Sequence, residues 1–155
     1  MIMNSPKIIL LCILCVGLNI CEAQQPISTC SMNHQELLRR MNVRDYDVFI
    51  EFVRCRHCYD GGDLEDLYRT SSLYLETNPE RYLEVLKDFN ITTREMESFL
   101  LMLPLSTVDN IDLKKAEINK RINLLLLVRD SELKNQALEI LKNELVFFGT
   151  IKSLN

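Results

Sequence analysis

The chain has no tryptophan, four glycines, four prolines and two histidines in 155 residues. So little glycine and proline excludes collagen-like and Pro-rich linker architectures. Basic excess is missing as well: 18 Lys and Arg face 22 Asp and Glu, a net charge of −4. Nothing is left over to neutralise phosphates, so nucleic acid is not an expected partner. Familiar catalytic patterns are absent, with no G-x-S-x-G, no H-E-x-x-H and no phosphate-cradling glycine loop. Acid pairs such as Glu80 with Glu84, or Glu95 with Glu97, fall at helical positions, where carboxylates are ordinarily solvated. The expectation is a non-enzyme without a cofactor. What remains, 47% hydrophobic and 26% charged residues, is the composition of a folded domain rather than of a disordered chain.

The N-terminus reads as an address. Lys7 supplies a positive start, Ile8 to Ile20 form an apolar run, and Cys21-Glu22-Ala23 places small residues around a cleavage point. At about 13 residues the run is shorter than the roughly 20 a membrane-spanning helix needs. Residues 1–23 are therefore read as a signal peptide and 24–155 as one domain, secreted, or periplasmic in a Gram-negative source. No stable membrane anchor remains after cleavage. Removal takes Cys12, Cys15 and Cys21 away and leaves Cys30, Cys55 and Cys58.

From there on, helix signals recur. Ser31 precedes Leu37, Leu38 and Met41, and Asp45 can cap a segment carrying Val48, Phe49, Phe52 and Val53. That segment also alternates like a strand, but nothing comparable exists to pair with it. Gly61-Gly62 reads as a stop, with Asp63 capping a helix that buries Leu64, Leu67, Tyr68, Ser71, Tyr74 and Leu75. Asn78-Pro79 opens another, and Thr92-Thr93-Arg94-Glu95 is a capping box. A helix from about Ile111 to Arg129 carries the all-round apolar Leu124–Val128 and so belongs at the centre of the core. Asp130-Ser131 caps the last helix, which Gly149 closes. The fold class is all-α, a compact bundle or short stack of about six helices.

Cys55-Arg56-His57-Cys58 is the unusual local feature, and three arrangements compete for it. Cys55 or Cys58 can pair with Cys30 in a structural disulfide, the favoured reading in an oxidising compartment. The C-x-x-C can instead be redox-active, with Arg54, Arg56 and His57 favouring a thiolate. Or Cys30, His34, Cys55 and Cys58 can form a tetrahedral zinc site. The redox alternative is weakened by position, because such motifs usually open a helix after a strand.

Two further features complete the inventory. Asn90-Ile91-Thr92 is an N-x-T glycan acceptor in a turn. Arg39, Arg40 and Arg44, and Lys114, Lys115, Lys120 and Arg121, form basic clusters on polar helix faces and read as solvated surface. The leading functional expectation is an exported non-enzymatic helical protein that binds a protein partner, as a secreted ligand, inhibitor or adaptor. A carrier of an apolar small molecule between helices is the alternative. A thiol-redox or zinc protein built on the C-x-x-C is third.

Overall fold

A computed structural model describes Cys30 and residues 32–154, with side chains to residue 150. The proposed leader and Ser31 lie outside the described residues. Seven helices follow one another: α1 (His34–Asn42), α2 (Tyr46–Cys55), α3 (Gly61–Thr77), α4 (Pro79–Asp88), α5 (Thr93–Leu101), α6 (Ile111–Leu126) and α7 (Glu132–Leu154). Short 3₁₀ turns occupy Arg56–Cys58 and Leu105–Thr107. No strand occurs among the described residues. The alternating Val48–Ile50–Phe52 stretch is helix, its start capped by the Asp45 carboxylate on the Asp47 N–H at 3.2 Å.

Most helix starts follow their local chemistry. The Asn78 side-chain oxygen Oδ1 accepts from the Arg81 N–H at 3.0 Å, and Pro79 occupies the first helical position. Thr92 and Glu95 close a reciprocal capping box. Ser131 Oγ accepts from the Lys134 N–H at 3.2 Å at the start of α7. Two starts differ from the sequence reading. The cap of α1 is Asn33, whose side chain accepts from the Glu36 N–H. α3 begins at Gly61 after an extended Asp60, so Asp63 lies in its first turn, where its carboxylate is 3.2 Å from His34 Nδ1.

Helix ends obey a different rule. α1 and α4 both close on residues in the left-handed region, Arg44 at φ 61° and Asn90 at φ 48°. In each case two hydrogen bonds recross the last turn: Asp45 N–H to Arg40 O with Arg44 N–H to Met41 O, and Ile91 N–H to Leu86 O with Asn90 N–H to Lys87 O. These are Schellman closures without glycine. Gly149, read as a cap, lies instead within α7, which runs on to Leu154. A Cβ there would meet nothing within 4 Å, and no proline follows to stop the helix.

The central helix is α3, which packs against α1, α2, α4, α5 and α6. The sequence placed α6 there instead. α6 forms an antiparallel pair with α7 through Ile118, Ile122 and Leu125, while Leu126 and Leu127 are 55% and 81% exposed, because the helix ends as the apolar run continues. The core is filled by rings. Phe49 stacks between Tyr74 and Tyr82 at 4.6 and 5.2 Å, and Phe99 meets Tyr68 edge-on at 4.7 Å. Burial pushes the Tyr74 and Tyr82 phenols above their ordinary pKa, keeping them as O–H donors to Asp45 O and Phe99 O.

Arg121 belongs to a cluster read as solvated surface, yet it is 1% exposed. Its guanidinium donates to Leu100 O at 2.6 Å and Met102 O at 3.4 Å, and Nε lies 3.3 Å from the Glu117 carboxylate. Helical spacing explains this: Arg121 shares a face with Ile118, Ile122 and Leu125. Arg121→Met will leave the α5 carbonyls unsatisfied and Glu117 without its buried partner. Urea unfolding should show a loss of about 3 kcal/mol, far above the change at an exposed basic residue.

Candidate functional site

The sequence places its candidate chemistry at the end of α2, and the structure resolves the competition there. Cys30 and Cys58 form the disulfide, tying the segment before α1 to the 3₁₀ turn after α2. Cys55 stays outside it, 1% exposed, with its thiol donating to Glu51 Oε1 at 3.4 Å. Glu51 also pairs with Arg54. The two cysteines of the C-x-x-C are therefore not joined to each other. Disulfide formation removes Cys30 and Cys58 as thiolate zinc ligands, and His34 is turned to Asp63. Among the described residues no three His, Cys, Asp or Glu gather as a metal site requires.

The turn is held from outside as well. Arg56 Nη1 donates to Val53 O at 2.7 Å, and its Nε is 2.6 Å from Glu95 Oε1 at the start of α5. Glu95 thus serves the α5 capping box and anchors the disulfide turn. Burial raises its pKa, but the bonds from Arg56 and Thr92 outweigh burial and hold the carboxyl below its usual range. His57, exposed, and Tyr68 border a small open pocket beside this pair.

A larger groove lies across the molecule, between α4 and the corner joining α6 to α7. It encloses about 490 Å³ and carries Leu83, Val128 and Leu133 among charged side chains. The corner is stiffened by Lys134, a buried ammonium that donates to Val128 O at 2.6 Å and Asp130 Oδ1 at 2.9 Å. Arg129 reaches across to Glu80 at 2.5 Å. Exposed Leu126 and Leu127 immediately precede this lining in the chain. Sequence reasoning passed over the groove because its residues come from separated segments. The only local signal was the apolar run 124–128, assigned to the core.

Asn90 is exposed at the α4–α5 turn. No helix among the described residues is long and apolar enough to cross a membrane.

No family model, curated protein or solved structure matches this chain. Function therefore rests on the chain's own chemistry.

Two outcomes follow from the cysteine turn. Because the disulfide separates its cysteines by 28 positions, replacing both (Cys30→Ser with Cys58→Ser) should cost about 3 kcal/mol in urea unfolding. Added reductant should then destabilise the wild type and leave the double variant unchanged. Glu95→Gln keeps a capping group but loses the ion pair, at a cost of about 1 kcal/mol at neutral pH. A carboxyl whose pKa is lowered by folding contributes stability above its unfolded pKa and loses it as pH falls through the folded value. The gap between wild type and Glu95→Gln in urea midpoint should accordingly close as the solution is taken from pH 7 to pH 3.

Proposed function

We propose that this chain is an exported, non-enzymatic helical protein whose groove between α4 and the α6–α7 corner receives a protein partner. The carrying observation is the corner itself: Leu126 and Leu127, 55% and 81% exposed, immediately precede in the chain Val128, which lines the groove with Leu83 and Leu133. A leucine left in water forgoes roughly 1.5–3 kcal/mol of burial, which a partner covering it recovers. The position is rigid, since Lys134 ties the corner to α7 from within. Preorganised apolar groups with a charged surround match the anatomy of protein interfaces.

A protein suits this place better than a small molecule, because small-molecule sites enclose most of their ligand and this groove is open to solvent. Three of its four carboxylates are engaged structurally: Glu80 with Arg129, Glu84 with Arg81, and Asp130 with Lys134. That engagement favours binding over acid–base chemistry, which needs carboxylates directed at a substrate. Residues 1–23 would place the protein in an oxidising compartment, in keeping with the Cys30–Cys58 disulfide.

The test is capture from the extracellular fluid of the source, using wild type and the double variant Leu126→Glu/Leu127→Glu at micromolar concentration. Both positions are solvent-facing, so thermal unfolding should be unchanged. A partner held by the wild type should bind the variant more than tenfold more weakly. Equal retention by both proteins, or no specific partner, overturns the reading.

A further inference from the structure

We infer that Asn90 is an N-glycan attachment site and that its glycan stands at one end of the α4–α7 groove. The inference rests on the export proposed above.

Asn90-Ile91-Thr92 is the only N-x-S/T triplet without an intervening or following proline in residues 24–155. The structure adds three observations that the triplet alone does not carry. First, the Asn90 backbone N–H is committed to the turn and its side chain is open. Its N–H donates to Lys87 O at 3.0 Å, the following Ile91 N–H donates to Leu86 O at 3.2 Å, and φ is 48°. Asn90 is exposed, whereas Ile91 turns inward against the core. A carbohydrate on Asn90 Nδ2 therefore displaces no packed atom and breaks no backbone hydrogen bond.

Second, the Thr92 hydroxyl is occupied in the folded protein. It donates to Glu95 Oε2 at 2.9 Å and accepts from the Glu95 N–H at 3.3 Å. The hydroxyl residue of the acceptor triplet is thus accessible only before α5 caps, so attachment precedes folding of this turn. The donor class is a lipid-linked oligosaccharide pyrophosphate. Asn90 Nδ2 forms a bond to the sugar C1, the C1–O bond to pyrophosphate breaks, and the amide proton leaves with the lipid pyrophosphate. No oxidant or reductant enters.

Third, the place is adjacent to the groove. Lys87, one turn before Asn90, lines it, and Gln136, which lines it from α7, donates to Thr93 Oγ1 at 2.7 Å. A glycan on Asn90 rises where α4, α5 and α7 meet, closing that approach and leaving the Leu126–Leu127 side open.

The experiment expresses the chain in cultured animal cells in two forms, one with its own residues 1–23 and one with these replaced by an established secretory leader. Recovery of the first form from the medium reads export alone. In the second form, the secreted protein should lose the mass of one N-glycan on treatment with peptide-N-glycosidase, with conversion of Asn90 to Asp. Two variants separate the glycan from the turn. Asn90→Gly removes the acceptor while suiting the left-handed turn, and should be secreted unmodified with stability equal to or above that of deglycosylated wild type. Thr92→Ser keeps both the cap and the triplet, and should still be modified. Secretion of the second form without a glycan overturns the assignment even if the first form is exported. So does a glycan that persists in Asn90→Gly.

Discussion

Every helix ends with carbonyl oxygens that its own backbone does not reach, and in this protein many of them face neighbouring helices instead of water. Much of the architecture answers that constraint. The last turn of α5 and the residues after it show it most fully. Phe99 O accepts from the Tyr82 hydroxyl of α4, Leu100 O from Arg121 of α6, and Leu103 O from Arg69 of α3. Elsewhere Lys134 serves Val128 O just past α6, while the Tyr74 and Tyr46 hydroxyls add further donors to Asp45 O and Asn78 O, the N-cap carbonyls that already accept from the first turns of α2 and α4. A buried carbonyl without a donor costs about 1–3 kcal/mol, so the side chains at the ends of α5 and α6 both join elements and remove a penalty, and the two tyrosines on N-cap carbonyls join elements only.

The same groups orient the apolar core. Tyr74 and Tyr82 can stack on both faces of Phe49 because their hydroxyls are fixed at helix ends beyond the ring cluster. Ring packing and carbonyl satisfaction therefore reinforce one another, and α3, which touches five other helices, is the element through which both pass. The groove lies where this economy of contacts stops: past Leu125, α6 turns its leucines outward, and only Lys134 continues the pattern.

How much of this was legible in the sequence depended on the range of the interaction. Caps formed within four residues were readable, as Asn78-Pro79 and Thr92–Glu95 show. Glycine misled in both places where it was used as a stop signal. Gly61 opens a helix and Gly149 continues one, while the left-handed closures fall on Arg44 and Asn90. Those closures depend on Asp45 and Ile91 packing or bonding just beyond them, which glycine counting does not register. Arg121 and Lys134 were missed for another reason. Charge implies solvent until the partner carbonyls, on other segments, are known. The disulfide was readable as a possibility, but the choice of Cys58 over Cys55 required knowing which residue α2 buries.

The bond between Cys30 and Cys58 has a mechanical consequence. It makes α1 and α2 part of a closed ring, so tension applied from the N-terminal side passes to residue 58 through the disulfide and cannot draw out residues 31–57. A single backbone cut inside that ring would leave both fragments joined. Cys30 is thus a fastened point of the described fold: load that arrives there is passed to the body of the bundle, and α1 and α2 are spared it.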